Sequence, residues 1–281
     1  MTPHVDTLTA ATLKNLREQW WNDDFSAFLR EALRPRPGNR ILDVGCGEGT
    51  AEVSLGRMRI SQLELVAIDR NLDRVRHTAG VVRSHNLKAG LAAADAVWLP
   101  FRDGVFDATF CVAVLQHVNN VTQAVAELAR VTRRGGRIVA VEPDNSARYW
   151  YSSSPAGTRA FATASRFFAA VADARGDNTD AAVGPRLSAI FNQHGIEPVS
   201  VQLFPVSVAL IGLPGDAVWE SRRKAVRRAI ESTEGDGTVA ALGREYLESI
   251  DEYEAEARRD AAHFVEIQNT MLFATVGQRE E

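Results

Sequence analysis

Cysteine is scarce in this sequence, and what there is does not form a metal-binding pattern. Cys46 and Cys111 are the only two cysteines among 281 residues. Their separation does not match the short ligand spacings of structural zinc sites, and a cytosolic chain would keep its thiols reduced. We therefore predict no metal centre, and we expect both thiols to stay reduced.

Long apolar runs and an excess of basic residues are also absent. No run approaches the roughly 18 apolar residues of a membrane-spanning helix. The opening "MTPHVDTLTA" lacks the basic-then-apolar order of a signal peptide. The net charge of −4 argues against a dedicated nucleic-acid-binding protein. We predict a soluble, cytoplasmic protein without a membrane or nucleic-acid partner; the sequence gives no indication of its oligomeric state.

Strand and helix patterns alternate through the first half of the chain. Short apolar runs typical of strands occupy 40–44, 63–69, 90–95, 105–115 and 135–143. Helical patterns lie between them, most clearly at 50–59, 71–85 and 121–133. This alternation predicts βαβ units, hence an α/β fold with a doubly wound parallel sheet.

Helical additions surround this alternating region. Residues 7–34 have helical spacing, and further helices are predicted after Pro155, over 183–194 and within 216–262. Strands are expected near 197–209 and at 269–277. We predict a single domain over 1–281, with these parts: an N-terminal helical cap (1–36), a core (37–143), helical lid insertions (144–182 and 214–262) and a final strand (263–281).

Three glycines follow the first predicted strand at alternating positions. In "ILDVGCGEGT" (41–50) the strand ends at Asp43 and Val44, and Gly45, Gly47 and Gly49 follow. Glycine permits a tight turn and the close approach of a ligand. The next helix begins near Thr50, so its N-terminus would favour an anionic group. The G-x-G-x-G spacing is one residue shorter than the dinucleotide pattern G-x-G-x-x-G.

Two aspartates follow the next two predicted strands. Asp69 closes "LVAID", where a carboxylate can accept both ribose hydroxyl hydrogens. Asp95 lies in "AAADAVWLPF", where it can accept a hydrogen bond from an adenine amino group. The alternatives are that Asp69 caps the following helix and that Asp95 belongs to a surface turn.

Together these motifs resemble the class I, Rossmann-like S-adenosylmethionine-dependent methyltransferases, in particular the branch that includes quinone-biosynthesis and natural-product enzymes. The matching segments, within roughly 39–144, are "ILDVGCGEGT", "VAIDRN", "AADAVWLPFRDGVFDATFCVAVLQHV" and "ELARVTRRGGRIVAVEPD". The resemblance implies a seven-stranded sheet whose last strand is antiparallel.

The same resemblance implies a cofactor site for S-adenosylmethionine, with S-adenosylhomocysteine as the product. It implies the methionine part over Gly45, Cys46, Gly47 and Gly49, with Asp43 orienting the loop and the ammonium group. The ribose would lie on Asp69 and the adenine beside Arg70, Asp95 and Ala96. From the fourth strand, the residues implied to flank the cofactor are Cys111, Val112 and Gln116.

A general base is needed only where the acceptor must lose a proton. His117 in "LQHV" is our candidate, because an imidazole titrates near physiological pH. It could instead pack or cap at the start of the next helix. Glu142 and Asp144, just past the fifth predicted strand, are the alternative bases.

Some branches of the resembling family do not fit. Enzymes that methylate nucleobase amino groups carry an Asn/Asp-Pro-Pro-aromatic motif where this chain has "CVAVLQH". Metal-dependent relatives place carboxylates where this chain has Ala113 and Gln116, so we predict no metal. Arsenic methylation would require more thiols than the two present.

Acceptor choice is expected to depend on the additions to the core. Trp21, Tyr149 and Trp150 are our candidates for lining the acceptor site, with core packing as the alternative. The basic helix "ESRRKAVRRAIE" (220–231) has two interpretations: its basic face is exposed to solvent, or it binds an acidic acceptor. We predict methyl transfer to oxygen, nitrogen or carbon of a small molecule. The alternatives are a peptide or protein methyltransferase, a nicotinamide-dependent oxidoreductase, or a non-catalytic S-adenosylmethionine-binding module.

Overall fold

The computed structural model describes residues 20–175, 182–233 and 235–281. Contacts within the chain divide them into two compact units. The core unit comprises residues 20–147, 182–204 and 271–281. The helical unit comprises 148–175 and 205–270. The prediction of one domain over 1–281 remains a prediction.

A parallel sheet forms the framework of the core unit. Its strands are β1 (Arg40–Val44), β2 (Glu64–Asp69), β3 (Ala89–Ala93), β4 (Phe106–Val112) and β5 (Thr132–Ser152). β1 pairs in parallel with both β2 and β4, β2 pairs with β3, and β4 pairs with β5. The strand order therefore reverses at β1, and the carboxyl ends beside such a switch point form the crevice where α/β sheets bind ligands.

Two further strands, β6 (Ile196–Ile211) and β7 (Val265–Arg279), complete a seven-stranded sheet of order β3-β2-β1-β4-β5-β7-β6. In the core unit, Glu280 N donates to Gly195 O at 3.0 Å, beside the start of β6. In the helical unit, Gly212 N donates to Phe264 O at 2.8 Å, beside the end of β6. β7 thus runs antiparallel to β6. The predicted Rossmann-like sheet with an antiparallel last strand is confirmed.

The helices of the core unit are α1 (Asp23–Leu33), α2 (Thr50–Arg57), α3 (Leu72–Ser84), α4 (Val121–Val131) and α6 (Val183–Gln193). Asparagines begin several of them: Asn22 accepts from Phe25 N at 2.9 Å, and Asn120 accepts from Gln123 N at 3.0 Å. Such caps satisfy backbone donors that a helix leaves unpaired at its start. The sheet and these helices share one buried apolar core that includes Leu42, Ile68, Phe106, Leu128 and Phe191.

The helical unit contains α5 (Pro155–Arg175), α7 (Asp216–Glu231) and α8 (Gly237–Arg259) together with the distal parts of β5, β6 and β7. Its apolar core includes Trp219, Tyr253 and Phe264, which are almost fully buried. A buried ion pair joins Arg222 Nη2 of α7 to Glu266 Oε1 of β7 at 2.6 Å.

Several predicted boundaries differ from the structure. The segment 144–152, predicted to begin a helical insertion, is strand, because the end of β5 bonds to the start of β7: Ser153 N donates to Val265 O at 2.9 Å. β4 ends at Val112 rather than at residue 115, because Ala113 has a left-handed φ of 56°. Of the predicted helix 7–34, Asp23–Leu33 is helical, and residues 1–19 lie outside the described residues.

Candidate functional site

The loop between β1 and α2 is tied to the end of β2. Gly45 N and Cys46 N both donate to Ile68 O, at 2.7 and 2.8 Å. The hydroxyl of Thr78 on α3 donates to Gly47 O at 3.0 Å. These bonds fix a loop that has neither helical nor sheet pairing of its own.

Two of the loop glycines show why glycine is required here. Gly45 has a φ of 88°, and a Cβ placed on it would lie 2.3 Å from Cγ2 of Val114. Gly47 has a φ of 52°, but nothing lies within 3.7 Å of its added Cβ; the nearest atom is Gly45 O at 3.8 Å. Gly45 is thus needed for close packing, whereas the surroundings of Gly47 leave room for a ligand to approach the backbone.

Asp69 connects the tip of β2 to this loop. Its Oδ2 accepts from Gly47 N at 3.2 Å and its Oδ1 accepts from Asn71 N at 2.9 Å. The capping alternative is not observed, since Asn71 is the residue that caps α3, by accepting from Asp73 N. A carboxylate has about four acceptor positions, so two remain for a ligand's hydroxyl groups.

A second carboxyl lies beneath the loop, and the sequence analysis did not identify it. Glu52, in the first turn of α2, is 2% exposed and is hydrogen-bonded to Asp43 of β1, which is 5% exposed. Burial raises the pKa of Asp43 well above its usual range, and the nearby Glu52 raises it further. Burial likewise raises the pKa of Glu52. Within the described part of the chain, Glu52 Oε2 has no hydrogen-bond partner.

Two carboxyl groups in such contact share a proton, because two ionised carboxylates would repel each other. The pair could neutralise a cation placed over the loop. In the sequence, Glu52 looks like an ordinary acidic residue in the first turn of a helix, where it complements the helix dipole. No sequence pattern indicated that it pairs with Asp43.

Both cysteines are buried and neutral. Burial and the charge of Asp43 raise the pKa of Cys46 to about 12. Burial, followed by the charges of Glu142 and Asp43, raises the pKa of Cys111 well above its usual range. Since the thiolate is the nucleophilic form, neither side chain is suited to attack a substrate.

The predicted adenine side of the site lies past β3. Ala94 N donates to Asp69 O at 3.2 Å, which brings this segment to the tip of β2. Asp95 is exposed, and its Oδ1 accepts from Val97 N at 3.1 Å, so it also has the turn role named as its alternative. Arg70 is exposed and Ala96 half-buried. Their adenine contacts remain predictions.

The predicted residues of β4 reach the same edge of the sheet. Val112 is half-buried at the end of the strand, and Gln116 is buried in the turn that follows. His117 is half-buried and closes a 3₁₀ turn, Leu115–His117. The structure thus brings His117 to the switch-point edge, and its role as a base remains a prediction.

The three predicted acceptor residues divide between the units. Trp21 of the core unit is half-buried and packs edge-on against Phe25, with ring centroids 5.0 Å apart. Tyr149 and Trp150 belong to the helical unit. Trp150 packs against Phe161 with ring centroids 4.4 Å apart, and Tyr149 is exposed. Packing accounts for Trp21 and Trp150, and their substrate roles remain predictions.

The sequence matches a known domain family over this site. Residues 42–140 match the family model described as "Methyltransferase domain". Over this range the chain is therefore similar to methyltransferase domains. The match runs from β1 almost to the centre of β5 and thus includes the glycine loop, Asp69, Asp95 and His117.

Curated relatives of the methyltransferase domain match it over part of their length. A demethylmenaquinone methyltransferase from Mycobacterium marinum is 36% identical over 135 residues, which are 48% of this chain and 53% of that protein. The chain spans about half or less of the length of the curated relatives that it matches.

Solved structures resemble the fold. A putative methyltransferase from Bacillus halodurans C-125 has a TM-score of 0.57 and 13% identity, covering 91% of this chain and 99% of that chain. The cyclase SpnF has a TM-score of 0.52 and 17% identity, covering 92% of this chain and 81% of that chain. At such identities the likeness concerns the fold, and SpnF is named for a reaction other than methyl transfer.

None of the helices within 20–175, 182–233 and 235–281 has the length and apolar character needed to cross a membrane. The same parts of the chain contain no group of three or more His, Cys, Asp or Glu side chains arranged to hold a metal ion.

Proposed function

We propose that this chain is an S-adenosylmethionine-dependent methyltransferase that acts on a small molecule. The observation that carries the proposal is the glycine loop bonded to Asp69 at the switch-point edge of a methyltransferase domain. When bound, the cofactor supplies a methyl group on a sulfonium, which is a good leaving group.

The residues at this edge fit the parts of the cofactor. Gly47 leaves open space over the loop, and the N-terminus of α2 favours a carboxylate there. The Asp43–Glu52 pair supplies negative charge for an ammonium group. Asp69 keeps acceptor positions for the ribose hydroxyls.

Transfer needs the acceptor to be held in line with the methyl group, and such orientation can supply effective molarities of about 10⁵–10⁸ M. His117 is the base that removes the acceptor's proton where the acceptor atom carries one. Its place in the turn after β4 supports this role, since that turn reaches the edge where Gly45 and Asp69 lie.

The acceptor is a small molecule, and its reacting atom is oxygen, nitrogen or carbon. The name of the demethylmenaquinone methyltransferase relative supports a small-molecule acceptor. A cytoplasmic location without a nucleic-acid or membrane partner is part of the same proposal.

A labelled-methyl transfer assay tests the activity. The protein and methyl-labelled S-adenosylmethionine are incubated with quinols, phenols, amines and a peptide pool, and the label is traced to product. Transfer to one of the small molecules is expected. Cofactor binding without transfer to any acceptor would favour the non-catalytic module, and labelled peptide would favour the peptide methyltransferase.

With an acceptor found, His117→Ala tests the base. We expect S-adenosylhomocysteine affinity to stay within about twofold, and turnover to fall by roughly 10²–10⁴-fold, the usual contribution of general-base catalysis. His77→Ala is the control, because His77 is an exposed histidine on α3 paired with Glu48. Full activity of His117→Ala across pH would show that His117 is not the base.

A further inference from the structure

One buried carboxylate holds the turn that follows β4. Glu142 of β5 is fully buried, and its Oε1 accepts from Val114 N and Leu115 N, both at 2.7 Å. Its Oε2 accepts from Gln116 N at 3.3 Å. Three successive N–H groups thus converge on one side chain, as in the backbone concavities that bind anions.

The backbone needs this support. Ala113 adopts a φ of 56°, a left-handed conformation that is costly for a residue with a Cβ. It still donates its N–H to Val141 O at 2.8 Å, so the chain leaves the sheet abruptly after its last pairing. Strained backbone of this kind persists where its surroundings hold it, and here the Glu142 carboxylate does so.

The turn also contacts the cofactor loop. Val114 occupies the space beside Gly45, since its Cγ2 would lie 2.3 Å from a Cβ at Gly45. The same turn carries Gln116 and His117. A shift of the turn would therefore change both the packing of the glycine loop and the position of His117.

We propose that Glu142 is a positioning residue, whose carboxylate sets the 114–117 turn against the cofactor loop and fixes His117 for the reaction. This inference rests on the proposed methyltransferase function. It differs from the earlier alternative of Glu142 as a base, because both of its oxygens are bonded to backbone N–H groups.

The carboxylate is sensitive to pH near neutrality. Burial raises the pKa of Glu142 to about 7, although its three backbone hydrogen bonds act in the opposite direction. Cys111 on β4 stays a neutral thiol, because burial and the charges of Glu142 and of Asp43 on β1 raise its pKa. His117 follows the three backbone donors in the turn. A protonated Glu142 accepts hydrogen bonds less well, so the turn should loosen as pH falls through about 7.

The first test is the variant Glu142→Gln, which replaces one acceptor oxygen with an NH2 group that faces backbone donors. We expect amide hydrogen exchange over 113–118 to become at least tenfold faster. Wild-type affinity for S-adenosylhomocysteine should rise between pH 6 and pH 8 with a midpoint near 7. The Glu142→Gln variant should lose this rise in affinity with pH.

Two further variants separate positioning from general destabilisation. Glu142→Asp keeps both acceptor oxygens, so it should restore part of the exchange protection and of the pH dependence. Glu127→Gln is the matched control: Glu127 is a buried carboxylate on α4 that accepts from Leu99 N at 2.7 Å and pairs with Arg130. Glu127→Gln should leave amide exchange over 113–118 unchanged, and S-adenosylhomocysteine affinity should still rise with pH as in the wild-type protein.

The results that overturn this inference differ from those that overturn the proposed function. If amide exchange and the pH dependence of affinity are both unchanged in Glu142→Gln, the positioning role of Glu142 is refuted and the proposed function is not. Absence of S-adenosylhomocysteine binding to the wild-type protein would refute the proposed function, and with it the positioning role. If Glu142→Gln does not fold, the wild-type protein decides: exchange over 113–118 and S-adenosylhomocysteine affinity that stay constant between pH 6 and pH 8 would also refute the role.

Discussion

At the residue scale, the carboxylates of the site differ through their contacts. Asp69 accepts two backbone N–H groups and keeps acceptor positions for a ligand. Asp43 and Glu52 contact each other away from solvent, so burial and mutual repulsion favour a shared proton. The carboxyl group thus supplies a hydrogen-bond acceptor at the edge of β2 and a proton-sharing pair beneath the loop.

Replacing Asp69 tests its assignment to the ribose. Asp69→Ala should weaken S-adenosylhomocysteine binding by about 10- to 100-fold, because hydrogen bonds to a charged group contribute about 1.5–3 kcal/mol. Isothermal titration calorimetry measures the change. Asp73→Ala is the control, since Asp73 is an exposed aspartate on α3 that bonds to Arg76. Wild-type affinity in Asp69→Ala would rule out the ribose contact.

Replacing Glu52 tests the shared proton through stability. A carboxyl group whose pKa is higher in the folded than in the unfolded protein stabilises the fold at low pH. This stabilisation is lost as the pH rises from the pKa of the unfolded state through the raised pKa of the folded state. Glu52→Gln removes one titrating carboxyl and keeps a hydrogen-bond donor for Asp43. Its free energy of unfolding should therefore improve relative to wild type from pH 5 to pH 8, by about 1.4 kcal/mol per unit of pKa elevation.

Urea unfolding of wild type and Glu52→Gln at both pH values measures this difference. Glu31→Gln, at an exposed position of α1, is the control and should show no pH-dependent difference. If the stability difference between Glu52→Gln and wild type is the same at pH 5 and pH 8, the pair does not share a proton.

At the element scale, the sequence predicted the first strands well because they are short, apolar and bounded by turn residues. β1 and β2 lie within one residue of their predicted limits. The extensions of β5, β6 and β7 were not predictable, since they depend on pairing between segments far apart in the sequence, such as Ser153 with Val265 and Gly212 with Phe264. The Glu142 contact depends on the same kind of long-range placement.

The buried ion pair of the helical unit gives a prediction at this scale. Arg222 of α7 pairs with Glu266 of β7 and lies over the Trp219 ring. Arg222→Met should lower the free energy of unfolding by about 3–5 kcal/mol, because it leaves the Glu266 carboxylate buried without its cationic partner. Urea unfolding gives the magnitude, and hydrogen exchange over α7 and β7 gives the location.

Arg227→Met is the matched control on the same helix. Arg227 pairs with Glu220 at 3.0 Å at an exposed position, and such pairs contribute about 0–1 kcal/mol. The double variant Arg222→Met with Glu266→Gln should be less destabilised than Arg222→Met alone. Equal losses in Arg222→Met and Arg227→Met would show that the buried pair does not stabilise the unit.

At the scale of the whole molecule, the motifs within 42–140 predicted the cofactor class, whereas no motif predicted the acceptor. The glycine loop and the two aspartates follow successive strands of one sheet, so their spacing alone brought them to one edge. We expect acceptor choice to depend on the additions to the core, and the helical pattern of those additions indicates packing, not the shape of a ligand.

The most direct measurement is a calorimetric titration of the wild-type protein with S-adenosylhomocysteine, with NADH and NADPH titrated in parallel. We predict a dissociation constant on the order of 1 μM, about −8 kcal/mol, for S-adenosylhomocysteine and no binding of either nicotinamide cofactor. Absence of S-adenosylhomocysteine binding, or binding of a nicotinamide cofactor in its place, would contradict the assignment of the glycine loop and of the methyltransferase function.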